Sequence, residues 1–377
     1  MKLFPLLALA CAHVSALAQG VVTTAEPVRA IAAPRSPLPS EASTAGVTKF
    51  SFIAYGDTRG RHDGTQLQAE HQLVIESMIG TIKRARTSAD SIRFVLQSGD
   101  AVVNGSIDQQ WSVSYIPLID RLTTEGGVPY FLSVGNHDVG SSTNLADPRR
   151  VSGMRNYLAA NAALIPPDGS PRRLNGYPTY AFGYGNSFFI AVDSDIPDDS
   201  VQFAWMTRQL ETLDRRRYPN VVVFFHHPPF SSGPHGGGRI ESQAASIRAR
   251  WMPLFRQHHV RLLLTGHEHL FEHFVERWTD ASGTHRIDQI VSGGGGAPLY
   301  GHVGEPDVRA YLAADSAQRL SLEHLARPDD DPGANPFHYV IVRVDGTRID
   351  VEVVAVDWGR NFAPYRSRAA VLVDGPR

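Results

Sequence analysis

Five times along the chain an apolar run of strand length stops at a turn that carries an acid, an amide or an imidazole. Residues 50–55 (FSFIAY) end at Gly56-Asp57, residues 93–97 (RFVLQ) near Gly99-Asp100, and residues 128–134 at Gly135-Asn136-His137-Asp138. Residues 221–225 (VVVFF) end at His226-His227, and residues 261–264 at Thr265-Gly266-His267-Glu268-His269. One such ending is ordinary turn chemistry, since Asp and Asn favour turns. Five of them, with imidazoles in three, are hard to assign to turns alone. Open α/β sheets bind ligands outside the carboxyl ends of their strands, so these endings should cluster in space. His267 and His269 stand two apart in what reads as extended backbone, where alternate side chains share a face, and both imidazoles can converge on one point.

Helical patterns separate the runs. Residues 67–84 place Val74, Ile75, Met78, Ile79 and Ile82 on one stripe, residues 111–122 form a second helix, and residues 201–213 a third that carries Phe203, Trp205, Met206 and Leu210. Residues 140–178 are polar and broken by proline, and read as loops with one short helix near 154–164. Residues 180–192 read as a hairpin turning at Gly185-Asn186, which suits a second, partly antiparallel sheet. Further strand pairs follow at 271–278 with 286–291, and at 338–344 with 348–356 through Asp345-Gly346. The fold class is α/β (α+β) with mixed sheets.

The first residues, MKLFPLLALACAHVSALAQG, have one lysine, a short apolar core and a small-residue cleavage signal at Ala16-Leu17-Ala18. This is the pattern of a secretory signal peptide cut after Ala18, and it places the protein in the periplasm or outside the cell. Its core is too short to span a bilayer, and no later run has that length. Cys11 is the only cysteine, so the processed chain carries none, which excludes disulfides, zinc–thiolate sites and thiol nucleophiles. Loss of Lys2 leaves 35 basic residues against 38 acids, a formal charge of −3 with no bulk preference for nucleic acid or anionic membrane.

The strand endings supply Asp57, Asp100, Asn136, His226, His267 and His269 as oxygen and nitrogen donors. That is more than one tetrahedral ion needs and about right for two ions sharing a carboxylate. Two metals roughly 3.5–4 Å apart clamp the attacking and leaving oxygens of a phosphoryl displacement, with a bridging hydroxide as nucleophile. The chemistry expected is therefore metal-dependent hydrolysis of a small phosphate ester.

In this order the motifs GD (56–57), GD (99–100), GNHD (135–138), the first histidine of HHPP (226–229) and GHEH (266–269) resemble the calcineurin-like metallophosphoesterases, to which purple acid phosphatases are related. The resemblance runs from about residue 49 to residue 273 and implies a four-layer αββα sandwich. It implies Asp100 as bridging ligand, Asp57 and His269 on one metal, and Asn136, His226 and His267 on the other, the ions being Fe, Mn or Zn. It implies that His137 contacts the phosphate and protonates the leaving oxygen. His227, Arg59 and His235 are candidate substrate-binding residues beside these ligands. With this family in view, the chain divides into a signal peptide (1–18), a Pro/Ala/Ser-rich linker, disordered or draped over the surface (19–48), a main domain (49–300), an irregular insertion (301–335) and a C-terminal hairpin completing the sandwich (336–377).

Two positions depart from the family. Arg59 stands where many members have a ligand histidine (D-x-H), and Val103 where purple acid phosphatases have a tyrosine. The first metal is left short of protein ligands, to be completed by water or His62, and no tyrosinate colour is expected. Arg59 is read either as a guanidinium for a substrate phosphate or as the partner of a nearby carboxylate. His235 and Arg239 lie in a glycine-rich loop at the mouth of the expected site. The HGGG string there lacks the G-x-S-x-G elbow of a serine esterase, and SGGGG at 292–296 lacks the Gly-Lys-Ser/Thr of a phosphate loop.

A phosphomonoesterase is favoured. A phosphodiesterase or nucleotidase would use the same ligands, because substrate choice sits in loops such as 140–178, 231–241 and 301–335. A non-catalytic phosphate-binding protein is the reading of a different class, suggested by Arg59 and Val103. Against it, the second metal set, the bridging aspartate and His137 are all present.

Overall fold

The computed structural model describes residues 28–60, 65–356 and 369–372. The expected signal peptide, Cys11 and His62 lie outside the described residues. Among the described residues, thirteen strands form two mixed sheets. The first is built from β1 (Lys49–Tyr55), β2 (Ile92–Gln97), β3 (Tyr130–Leu132), β11 (Phe337–Asp345), β12 (Arg348–Val356) and β13 (Ala369–Leu372), in the order β13-β12-β11-β1-β2-β3. The second holds β4 (Tyr180–Tyr184), β5 (Ser187–Ala191), β6 (Asn220–Phe224), β7 (Leu262–Thr265), β8 (Phe271–Asp280), β9 (Gly283–Ser292) and β10 (Ser321–Ala326), in the order β10-β8-β9-β7-β6-β5-β4. β1, β2 and β3 run parallel, as do β5, β6, β7 and β9, so the turns that leave these strands gather at one end. Strands buried on both faces read as unbroken apolar runs, which is the pattern of residues 221–225.

The sheets face each other across aromatic rings. Phe52 and Phe94 of the first meet Phe189 of the second edge to face, with centroids 5.3 and 5.1 Å apart, and Phe131 stacks on Phe182 at 4.1 Å. Each such pair contributes ~0.5–1.5 kcal/mol beyond its buried area. Outside the first sheet, α1 (Ala69–Ala85) buries the expected stripe of Val74, Ile75, Met78, Ile79 and Ile82 beside α2 (Ile116–Arg121). The short α3 (Asn136–Val139) follows β3, and α4 (Pro148–Ala160) starts on an Asp147 cap earlier than the expected helix at 154–164. Outside the second sheet, α5 (Ser200–Glu211) and α7 (Met252–Gln257) pack Trp205, Met206, Leu210 and Phe255 against Val221, Val223 and Leu263, and the short α6 (Ser242–Ser246) lies between them in the chain. Helix, sheet, sheet and helix make four layers. No helix among the described residues is long and apolar enough to cross a membrane.

Two stretches are more ordered than their composition suggests. Residues 28–48 are not a free linker: Val28 and Ile31 join the core, and the Glu41 carboxylate accepts from Arg172 twice at 3.0 Å and from Gly183 N–H at 3.1 Å. Too few apolar residues to fold alone are still enough to seal a core already present. The stretch expected to be irregular, 301–335, holds α8 (Arg309–Ala314) and β10, which pairs with β8 at the sheet edge. An edge strand half open to solvent carries too little apolar signal to be read from sequence.

His71 of α1 is fully buried, where its Nδ1–H donates to Gln68 Oε1 (2.9 Å) and its Nε2 accepts from the Tyr55 hydroxyl (3.1 Å). Burial lowers its pKa from 6.5 to about 3. Below pH 6.5 the unfolded chain therefore takes up a proton that the native state refuses, and stability falls as pH drops toward 3. His71→Gln should remove this term: urea unfolding at pH 7 and pH 4.5 should show a pH-dependent loss about 2–3 kcal/mol smaller in the variant.

Candidate metal centre

The turns that follow β1, β2 and β7 pass through the left-handed region at Asp57 (φ 60°), Asp100 (φ 56°) and His267 (φ 69°). Non-glycine residues adopt this conformation rarely, and it costs of order 1–3 kcal/mol where the surroundings impose it. Here cross-bonds impose it. Asp57 N–H donates to Gly99 O (3.0 Å), Thr58 N–H to Asp100 O (3.0 Å), and His137 N–H to Asp100 Oδ1 (3.0 Å). His267 N–H lies 2.9 and 3.0 Å from the two Asp57 oxygens, which ties the second sheet to the first. Gly135 and Gly266 admit these approaches, since a Cβ on either would overlap the carboxylate of Asp100 or Asp57.

Four donors meet at one point. Around His226 Nε2 lie Asn136 Oδ1 at 2.9 Å, His267 Nδ1 at 3.1 Å and Asp100 Oδ1 at 3.3 Å. Ligands held 2.0–2.1 Å from a tetrahedral ion stand roughly 3.3 Å apart, and the three distances to His226 Nε2 are of that size. Outward hydrogen bonds fix each imidazole. His226 Nδ1–H donates to Ser98 O (2.9 Å), His267 Nε2–H to Glu241 Oε2 (2.9 Å), and His269 Nδ1–H to Pro298 O (2.7 Å). These partners assign the tautomers and leave the opposite nitrogen of each ring with a lone pair facing inward. Burial lowers His226 to about 4 and His269 well below its usual value, so both are neutral, the form that binds a metal.

A second set, Asp57, Asp100 and His269, is wholly buried, with donor atoms within 4.8 Å of one another. Arg59 is also there: its Nε lies 3.4 Å from Asp100 Oδ2 and its Nη2 3.4 Å from His269 Nε2. Burial, then the charge of Asp100, raises Asp57 well above the usual carboxylate range. Burial also acts to raise Asp100, but His226, His137 and Arg59 outweigh it and hold that carboxyl low.

A cavity of about 440 Å³ opens beside the four-donor set, and its lining includes Asn136, His267, His227, His235, Arg239 and Glu241. His227 is held by Ser194 Oγ at 2.9 Å, and His235 by Glu241 at 2.9 Å. The hydrogen bond to Glu241 raises His235 above its ordinary value. Arg59 does not line this cavity, so the structure pairs it with a carboxylate and an imidazole. His137 donates from Nδ1–H to Val103 O (2.7 Å), which leaves Nε2 to carry or accept a proton.

Three residues escaped the sequence. Asp138 accepts from Ala101, Val102 and Gly135 N–H (2.9, 3.2 and 3.0 Å) and so joins the turns that carry Asp100 and Asn136. Its place in GNHD was the only local signal. Glu241, and Tyr300, whose ring stacks on His269 at 4.1 Å, come from loops with no pattern of their own.

The calcineurin-like phosphoesterase model matches residues 62–271. The chain belongs to this family. Family members use a pair of metal ions, and Asp57, Asp100 and His269 form one group of side chains here that could hold an ion. Purple acid phosphatase 18 of Arabidopsis thaliana is 23% identical over 145 residues, which is 38% of this chain and 30% of that protein, so the match spans under a third of the relative's length. A purple acid phosphatase from yellow lupin (Lupinus luteus) seeds shares the fold with a TM-score of 0.58 at 16% identity, over 86% of this chain and 53% of that one. GAP50, the anchor in the inner membrane complex of Plasmodium, does so with a TM-score of 0.53 at 15% identity, over 88% and 90%.

Two variants test how this centre is held. Glu241→Ala frees His267 to rotate, and metal affinity measured by competition with a chelating dye should fall ~10–100-fold. Asp138→Asn turns an amide N–H₂ toward backbone donors, and urea unfolding should show a loss of ~1–3 kcal/mol.

Proposed function

We propose that the chain is a metal-dependent phosphoesterase acting on small phosphate monoesters. The observation that carries this reading is the four-donor set, in which every imidazole is fixed by an outward N–H and turns a lone pair inward. Asp100, Asn136, His226 and His267 would hold an ion there, with Asp57 and His269 beside them. When bound, the metal supplies Lewis acidity toward a phosphoryl oxygen.

The chain's own residues account for the rest. His137, with Nδ1–H fixed on Val103 O, can deliver a proton from Nε2 to the leaving oxygen. His235, its pKa raised by Glu241, and Arg239 bring positive charge to the wall of the cavity, where a phosphate dianion needs it. The cavity's volume of about 440 Å³ suits one small ester. His227 is locked by Ser194 and shapes the wall. The signal-peptide pattern at 1–18 supports a periplasmic or secreted location, testable by fractionating cells that express the full chain.

Hydrolysis of p-nitrophenyl phosphate and bis-p-nitrophenyl phosphate, with manganese, zinc or iron supplied in turn, tests the reading. We expect metal-dependent release of p-nitrophenol from the monoester, abolished in Asp100→Asn, and a kcat lower by ~10²–10⁴-fold in His137→Ala with the metal retained. Turnover of the diester alone would make the protein a phosphodiesterase. A folded, metal-loaded protein that cleaves neither ester would point to a phosphate-binding protein.

A further inference from the structure

We propose that Arg59 takes the place of the first metal ion, so that the protein works with one ion, in the Asp100–Asn136–His226–His267 set, beside a built-in guanidinium. This rests on the phosphoesterase reading and departs from the paired ions of the family.

Position argues for it first. Asp57, Asp100 and His269 are the donors left for the first ion, and Arg59 touches two of them, Asp100 Oδ2 and His269 Nε2, each at 3.4 Å. His269 donates from Nδ1 to Pro298 O, so the Nε2 lone pair that would bind a metal is the one facing the guanidinium. The Arg59 side chain is 17% exposed, and it reaches inward from a turn fixed by the left-handed Asp57 and the bond from Thr58 N–H to Asp100 O.

Charge argues for it next. A guanidinium does not deprotonate in a protein, so an ion held by these donors would sit against a permanent positive charge. The buried carboxylate of Asp100 needs a cation nearby, and Arg59 supplies one without metal. By contrast, the other three donor atoms of the four-donor set lie 2.9–3.3 Å from His226 Nε2, and the substrate cavity opens on that set through Asn136 and His267. An arginine in the position of the D-x-H histidine thus removes a ligand and adds a competing charge in one substitution.

Arg59 acts here as a positioning residue, neutralising Asp100 and holding its second oxygen. The test is the ion count. Purified full chain is dialysed against manganese alone and its metal measured by mass spectrometry, with the electron paramagnetic resonance spectrum recorded alongside. We expect one ion per wild-type chain with the spectrum of an isolated ion, lost in Asn136→Ala. Arg59→His restores the D-x-H pattern and should bind two ions with an exchange-coupled spectrum, whereas Arg59→Lys should keep one. Circular dichroism melting confirms that each variant is folded. Two ions in the wild type would overturn the proposal and show that Arg59 swings aside; one ion in both the wild type and Arg59→His would overturn the role given to Arg59. No ion in the wild type would overturn both this and the phosphoesterase reading. That reading fails separately if the one-ion protein cleaves neither nitrophenyl ester.

Discussion

Three carboxylates, those of Asp57, Asp100 and Asp138, are buried at the ends of the adjoining strands β1, β2 and β3. A carboxylate removed from water is costly unless N–H donors or positive charge meet it, by several kcal/mol per ion even after relaxation. The surrounding loops are arranged to meet that need. Asp138 takes three backbone N–H groups, Asp100 takes His137 N–H with His226 and Arg59 nearby, and Asp57 takes His267 N–H from the opposite sheet. The left-handed turn at His267 carries the N–H that meets Asp57.

The two sheets divide the work. The first contributes acids and an amide, and the second contributes the imidazoles of His226, His267 and His269. The centre therefore lies on the seam between them, and its geometry depends on the distance the aromatic layer sets. Phe52 and Phe94 stand on the strands that lead to Asp57 and Asp100, and both pack edge to face on Phe189 of the opposite sheet, with centroids 5.3 and 5.1 Å apart. A close-packed interior transmits such a spacing with little give.

Much of this was legible in the residues. The apolar runs at 50–55, 93–97 and 221–225 are strands within a residue at each end, because a buried strand is recognised by its own side chains. The donors were legible too, since each lies in the turn that follows such a run. What could not be read were contacts made across the chain. Asp138, Glu241 and Tyr300 owe their roles to partners from about 26 to 37 positions away. The edge strand β10 and the packing of residues 28–48 exist only because a core already offers them a surface.

The sequence by itself determined which strands form, which groups end them, and that one of those groups is an arginine where the family has histidine. These are local matters of periodicity, turn chemistry and side-chain identity. The tertiary structure alone decided which nitrogen of each histidine faces inward, because the choice depends on the carbonyl or carboxylate at the other nitrogen: Ser98 for His226, Glu241 for His267 and Pro298 for His269. It also decided that Arg59 turns toward Asp100 and His269 and does not line the cavity beside Asn136 and His267. The physical reason is common to both: a hydrogen bond or ion pair is made with whatever the fold brings within about 3 Å, and only the folded chain fixes that neighbour.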